Sequence, residues 1–272
     1  MRPATDTDAV LLCADERGPV KKHFIAAAFF WAVLTAAGEL LVFADLFPTV
    51  GSEEAEEFDR IFRILLAMGW PVFAFVVSVV GYSFFQFRSR GDDSEDGPAM
   101  YGRGAVPRVW LGITGGLAVL TMIFPGLTGL AELQSDRGGY GWGDTEGELL
   151  VKVEGFRYSW AFQYPDLGVE ILGANQELVL PVDTKVKFEV SSLDVVHSFW
   201  IPAFRMKIDA IPGRTTFMTV TPTKVGSYDD DQSFRVQCAE LCGMDHSVMS
   251  FPVRVVEREE FDAWIASQKE EQ

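Results

Sequence analysis

The chain has 272 residues, of which 48% are hydrophobic and 13% aromatic, and this composition excludes an intrinsically disordered protein. Its formal net charge of −16 argues against nucleic acid as a partner and favours partners that carry positive charge. Three cysteines are too few for a disulfide-rich scaffold, and three histidines leave few ways to build a copper or zinc site.

Long apolar segments dominate the first half of the chain. They are residues 24–47, 61–87 and 109–131. About 20 apolar residues in a helix cross a bilayer, so the region 24–131 predicts three transmembrane helices. Lys and Arg are concentrated in residues 1–23 and in the 88–108 loop, and the positive-inside rule places both in the cytoplasm. The chain after Ala131 is then expected on the outer face of the plasma membrane.

The first apolar segment has a second interpretation, as a cleaved signal peptide. Two lysines precede it, and small residues stand just before Glu39. The long acidic lead and the continuation of the apolar run to Phe47 favour an uncleaved helix instead. Both interpretations leave the C-terminal part of the chain outside the cytoplasm.

From about residue 145 the pattern changes to short runs rich in β-branched and aromatic residues, separated by Gly, Pro and Asp turns. Many short strands at this spacing predict an all-β sandwich or barrel over residues 145–256. The segment 257–272 predicts a short amphipathic helix with Phe261, Trp264 and Ile265 on one side. The expected fold is therefore a mixed chain, anchored in the membrane by helices and followed by a β domain.

Two short segments of the β-rich region contain most of the metal-binding residue types. They are VVHSFWIP, with His197, and CAELCGMDHSVM, with Cys238, Cys242, His246 and Met249. A blue-copper site uses two His, one Cys and a weak axial Met, with one His far upstream. The second cysteine fits a two-copper centre, because a thiolate can bridge two metals. A carbonyl between the cysteines, with Glu240 midway, would supply a further weak ligand.

Spacing alone leaves two alternatives to copper. Cys238 and Cys242 could form a disulfide outside the cytoplasm. Two Cys and two His could also bind one tetrahedral zinc ion, although zinc has no use for Met249.

The segment SSLDVVHSFWIPAFRMKIDAIPGR, followed by CAELCGMDHSVM, resembles cytochrome c oxidase subunit II. The resemblance implies an extracytoplasmic, cupredoxin-like Greek-key domain with the dinuclear copper centre CuA. The implied ligands are Cys238 and Cys242 as bridges, His197 and His246 as terminal ligands, and Met249 and the Glu240 carbonyl as axial ligands. The Glu240 side chain would also reach a magnesium ion shared with subunit I, and Asp209 would lie near that interface.

The same resemblance implies a function in respiration. Cytochrome c would deliver electrons to CuA, which would pass them to haem in subunit I, where oxygen is reduced to water and protons are pumped. Subunit I and subunit III would be partners within the membrane. A nitric oxide reductase with a CuA subunit is the alternative, because its chemistry would also occur in the large subunit.

Three features depart from the family pattern. GFRYSWAFQYP matches the family segment GHQWYWSYEY, in which the first Trp is where electrons enter. Tyr158 stands at that position, and Trp160 matches the second Trp, so both are candidates for electron transfer. In the family, an acid at the position of Pro107 often opens a proton path into subunit I. Because proline is not an acid, this role is not assigned to Pro107. The family commonly has two membrane helices, whereas three are predicted here.

The predicted β domain is acidic, with 22 acids and 12 bases from Asp144 onward. An acidic surface speeds association with a basic cytochrome. The run Asp229–Asp231 precedes the copper-binding segment and is the candidate for part of a docking rim, with a solvated turn as the alternative.

Overall fold

The computed structural model describes residues 17–44, 46–88, 105–134, 140–141, 149–172 and 176–271. The expected start of the β domain at residue 145 and residues 1–16 of the expected cytoplasmic segment lie outside the described residues. The chain forms two compact units. The helical unit comprises Met1–Leu46 and Phe62–Ala118, and the β unit comprises Phe47–Ile61 and Val119–Gln272.

Among the described residues, three helical stretches are long and apolar enough to cross a membrane, namely Lys21–Val42, Glu53–Gln86 and Pro107–Ala131. Helix α1 is Arg17–Val42, α2 is Glu53–Gln86 and α3 is Ala105–Thr121. Helix α2 begins ahead of its apolar stretch, because acidic residues in its first turn suit the positive end of the helix dipole. After α3 the helical path is broken at Phe124, which has an extended backbone before Pro125, and it resumes as α4, Thr128–Gln134.

Helices α1 and α2 are joined by two indole hydrogen bonds. Trp31 Nε1 donates to the Pro71 carbonyl and Trp70 Nε1 donates to the Leu34 carbonyl, each at 2.9 Å. Gly38 provides the space for the Trp70 ring, because a Cβ atom at Gly38 would lie 1.5 Å from Trp70 Nε1. These contacts pack α1 directly against α2.

Replacing Gly38 by Ala is therefore expected to destabilise the helix pair. Overpacking typically costs about 1–3 kcal/mol, so the apparent melting temperature of the purified chain in detergent should fall. Gly112→Ala is the matched control, since no atom lies within 4 Å of a Cβ atom built there. Equal melting temperatures for the Gly38→Ala variant and the wild type would contradict this packing or mean that α1 had been removed.

The β unit contains twelve strands within its described residues. They are β1 Tyr140–Gly141, β2 Leu149–Phe156, β3 Ser159–Tyr164, β4 Val169–Ile171, β5 Leu178–Pro181, β6 Val186–Ser192, β7 His197–Trp200, β8 Lys207–Ala210, β9 Thr216–Val220, β10 Gly226–Ser227, β11 Arg235–Cys238 and β12 Ser250–Val256. The first sheet has the order β1-β9-β6-β2-β3-β4, and the second has the order β10-β12-β11-β7-β8. Strands β2 and β6 pair in parallel, as do β5 and β12.

The core lies between these sheets and is rich in aromatic side chains. Buried and less buried residues alternate along β2 and β6, as expected for strands with one face in the core. Phe199 is fully buried and contacts Phe162 and Phe188, with ring centroids 6.4 and 5.1 Å away. The fold class is thus as predicted, with apolar helices followed by a β-sandwich.

The C-terminal helix α5, Arg258–Glu271, covers one end of the sandwich. Phe261 and Ile265 are buried, and the Phe261 and Trp264 rings lie 6.1 and 5.7 Å from the Tyr164 ring. The predicted apolar side of this helix is therefore the side that packs on the core.

The segment Phe47–Ile61 is part of the β unit, although its sequence reads only as a connection between two helices. Gly51 N donates to the Ala203 carbonyl at 2.9 Å, and Thr223 N donates to the Gly51 carbonyl at 2.9 Å. Glu54 is 3% exposed, and its carboxylate accepts from Thr221 N at 3.1 Å. These contacts bind the first turn of α2 to the sandwich.

Candidate metal centre

The two cysteines lie at either end of the loop that follows β11. Strand β11 pairs with β7, and this pairing sets Cys238 opposite Phe199, two residues along β7 from His197. Both thiols are buried, and their Sγ atoms are 3.8 Å apart. A disulfide needs about 2.05 Å, so these are two free thiols and the disulfide alternative is not supported.

His197 is fully buried, and its ring orientation is fixed. Its Nε2 lies 2.8 Å from Asp194 Oδ1, and its Nδ1 lies 3.8 Å from Cys238 Sγ. Because an ionised carboxylate can only accept, Nε2 carries the proton and donates it. Nδ1 is then left with a free lone pair on the side of the thiols, which is the arrangement of a metal-binding histidine.

The remaining predicted donors surround the same pair of sulfurs. His246 Nδ1 lies 3.6 Å and Met249 Sδ 3.7 Å from Cys242 Sγ. The Glu240 carbonyl oxygen lies 3.3 Å from Cys238 Sγ. All six donors proposed from the sequence are therefore brought together.

The number and type of these donors fit two soft metal ions. Two four-coordinate ions would have eight coordination positions, and two bridging thiolates would fill four of them. Two imidazoles, a thioether and a carbonyl would fill the rest. A single tetrahedral zinc ion would need only four donors. Thiolate, thioether and imidazole are ligands that suit copper.

Ionisation of both thiols would require a cation beside them. Burial, and then the charge of the neighbouring Cys238, raises the pKa of the Cys242 thiol to about 11. Two thiolates at this distance are unfavourable unless positive charge lies between them. The ligand atoms of His197, Cys238 and Cys242 lie within 4.8 Å of one another, close enough for one ion to reach all three.

The two aromatic candidates for electron transfer differ in exposure. Tyr158 is half-buried in the turn between β2 and β3, and its hydroxyl oxygen accepts from Met244 N at 3.2 Å. Trp160 is fully buried, and its ring packs on the His197 ring at a centroid distance of 6.0 Å. Trp160 is therefore a core residue beside the site, and its part in electron transfer stays a prediction.

The two carboxylates that the resemblance assigns to an interface with subunit I are exposed. Glu240 lies in the loop between the cysteines, and Asp209 lies in β8, opposite Ser198 of β7. Both side chains are open to a partner or an ion.

Asp194 and Arg157 are parts of the site that the sequence did not reveal. Asp194 joins the buried imidazole to Arg157, whose backbone N and Nε both donate to Asp194 Oδ2 at 3.0 Å. Partial burial opposes ionisation of Asp194, but the hydrogen bond from His197, followed by those from Val195 and Arg157, holds its pKa well below the usual range. The only sequence signal was an acid three residues before the histidine, which is too common to be informative.

Residues 167–256 match the family model for the periplasmic domain of cytochrome c oxidase subunit II. Cytochrome c oxidase subunit 2 of Synechocystis is 30% identical over 260 residues, covering 82% of this chain and 75% of that protein. Heme-copper oxidase subunit 2 of Aeropyrum pernix is 33% identical over 212 residues, covering 74% and 86%.

A solved structure of similar sequence is the periplasmic domain of cytochrome oxidase subunit II from Bradyrhizobium japonicum. It is 36% identical, covers 46% of this chain and 96% of that domain, and has a TM-score of 0.42. The curated relatives are oxidase subunits and do not favour the alternative of a nitric oxide reductase.

Proposed function

Because the chain belongs to the cytochrome c oxidase subunit II family, we propose that it is the electron-accepting subunit of a haem-copper oxidase and holds the dinuclear centre CuA. The observation that carries the proposal is the buried pair of separate thiols, 3.8 Å apart and surrounded by two imidazoles, a thioether and a carbonyl. No simpler metal site uses all six donors.

The protein holds these donors on rigid elements. His197 starts β7 and Cys238 ends β11, and the two strands pair directly. Cys238 N donates to the Met249 carbonyl at 3.0 Å, which closes the loop that contains the other donors. A rigid ligand set resists changes in bond length, which keeps the reorganisation energy of electron transfer small.

When bound, the copper pair supplies reversible one-electron transfer. In this proposal cytochrome c is the donor and a haem in subunit I is the acceptor, and oxygen reduction to water and proton pumping occur in subunit I. Tyr158 is the candidate contact for the incoming electron, and Trp160 packs on the His197 ring. This chain is thus one subunit of the oxidoreductase.

The proposed setting is the plasma membrane, with α1, α2 and α3 as membrane-spanning helices and the metal centre on the outer face. Subunits I and III would contact this chain, and the exposed Glu240 carboxylate would reach a magnesium ion shared with subunit I. The location of the family-matched periplasmic domain supports this orientation.

Counting copper tests the proposal. The purified chain, loaded with copper, should contain two copper ions per chain and give the multi-line EPR spectrum of an electron shared between two coppers. One zinc or one copper ion per fully loaded chain would exclude the dinuclear assignment.

The three residues of the acidic run Asp229–Asp231 differ in exposure and in hydrogen bonding. Asp231 Oδ1 accepts from Ser233 N at 2.8 Å, and its Oδ2 accepts from the Thr49 hydroxyl, so it stabilises the fold. Asp229 and Asp230 are exposed, and these two remain the candidates for a docking rim.

Replacing Asp229 and Asp230 together by Asn should lower the association rate with a basic cytochrome c at low salt and flatten its salt dependence. Electron transfer within the complex should be unchanged. The matched control replaces two exposed acids of α5, Glu259 and Glu270, by Gln. Stopped-flow rates that fall equally in both double variants would show a general charge effect and not a docking rim.

A further inference from the structure

Two side chains that are not metal donors, Arg157 and Asp194, form a hydrogen-bonded connection from the surface to the buried imidazole of His197. Arg157 Nε donates to Asp194 Oδ2 at 3.0 Å, and His197 Nε2 donates to Asp194 Oδ1 at 2.8 Å. The exposed fraction of the side chain falls from 49% for Arg157 to 24% for Asp194 and 0% for His197. Charge at the surface is therefore coupled to a metal-binding ring by two hydrogen bonds.

We propose that Asp194 is a positioning residue for His197 and that the Arg157–Asp194 ion pair sets the reduction potential of the metal centre. The proposal rests on the proposed function, since the centre must contain copper for its potential to be measured. Neither Asp194 nor Arg157 is itself a proposed ligand.

Asp194 is held firmly enough to orient the ring. Its Oδ1 also accepts from Val195 N at 2.7 Å, and its Oδ2 also accepts from Arg157 N at 3.0 Å. Two backbone donors thus fix the carboxylate independently of the Arg157 side chain. A fixed acceptor keeps the proton on Nε2 and leaves Nδ1 of His197 free to bind metal.

The charges of Asp194 and Arg157 should change the reduction potential of the metal centre in opposite directions. A negative carboxylate bonded to a ligand stabilises the more positive, oxidised state of the centre and so lowers the reduction potential. The guanidinium of Arg157 offsets part of this effect. Solvent screens both, because each side chain is partly exposed, but Asp194 is nearer the ligand and should have the larger effect.

Arg157 is also a difference from the family segment GHQWYWSYEY, which has a neutral Gln at the matching position. Arg157→Gln therefore removes one charge at an exposed turn and keeps the backbone donor to Asp194. This variant tests the electrostatic half of the proposal with little risk to folding.

The experiment compares the copper-loaded full chain in its purified complex with four variants. Asp194→Asn should raise the potential, because the amide oxygen can still accept from His197 but the charge is gone. Arg157→Gln should lower it. Asp194→Ala should weaken copper binding about 10- to 100-fold, as is typical when the partner of a ligand is lost. Asp245→Asn is the control, because Asp245 adjoins His246 and makes no side-chain capping bond.

The readouts are copper content, the EPR spectrum, copper retention against a copper(I) chelator, and an EPR-monitored redox titration. Shifts of opposite sign for Asp194→Asn and Arg157→Gln, with a smaller shift for Asp245→Asn, are the expected result. Shifts of the same sign, or an Asp194→Asn shift no larger than that of the control, would overturn the proposal. A wild-type chain without two coppers would instead overturn the proposed function and this inference with it.

Discussion

The Cys238→Ser variant should lose the two-copper EPR signal entirely. A serine hydroxyl is not ionised at neutral pH and does not bridge two coppers, so the remaining donors hold at most one ion. The side chain is buried beside Cys242, His197 and the Glu240 carbonyl, and no other thiol of the described residues is available to replace it. Metal analysis should fall from two copper ions per chain to one or none, and electron uptake from cytochrome c should stop.

Met249→Leu is the control for this experiment. Met249 is also fully buried and adjacent to the thiols, so the substitution changes the same core region. Because an axial thioether is a weak ligand, the variant should keep both coppers and shift only the potential. A two-copper signal in Cys238→Ser would contradict the bridging role of that thiol.

Replacing Asp59 by Ala is expected to cost about 3–5 kcal/mol of stability, because it leaves the Arg205 guanidinium buried without its counter-ion. Arg205 Nε and Nη2 donate to the two Asp59 carboxylate oxygens at 2.8 and 2.9 Å, and both side chains are 9% exposed. Arg205 also donates to the carbonyls of Pro48, Thr49 and Pro202. The pair therefore fixes the segment before α2 to the sandwich.

Glu57→Ala, in the same turn of α2, is the matched control. Glu57 pairs with Arg60, but those side chains are 28% and 54% exposed, and surface ion pairs contribute about 0–1 kcal/mol. Thermal unfolding of the purified variants should show a large loss for Asp59→Ala and almost none for Glu57→Ala. Equal losses would mean that the Asp59–Arg205 pair does not stabilise the β unit.

Local sequence determined the helices and the fold class, and it identified the candidate metal donors. Uninterrupted apolar runs can form only helices in a bilayer, and strands with one buried face alternate as β2 and β6 do. The candidate donors were identified from the spacing of Cys, His and Met together with the resemblance to the family. The amphipathic C-terminal helix was identifiable for the same kind of reason, since its apolar residues recur on one side.

Tertiary structure alone decided how the site is supported. Asp194, Arg157, Asp59 and Arg205 are ordinary charged residues in sequence, and Arg157 is 37 positions from Asp194, as Asp59 is 146 from Arg205. Such pairs arise only when distant segments pack together, and no local pattern encodes them. The same holds for Trp160, whose burial depends on the sheet that covers it. Local chemistry thus names the candidate ligands, whereas packing determines which charged residues lie beside them and which aromatic ring is partly exposed.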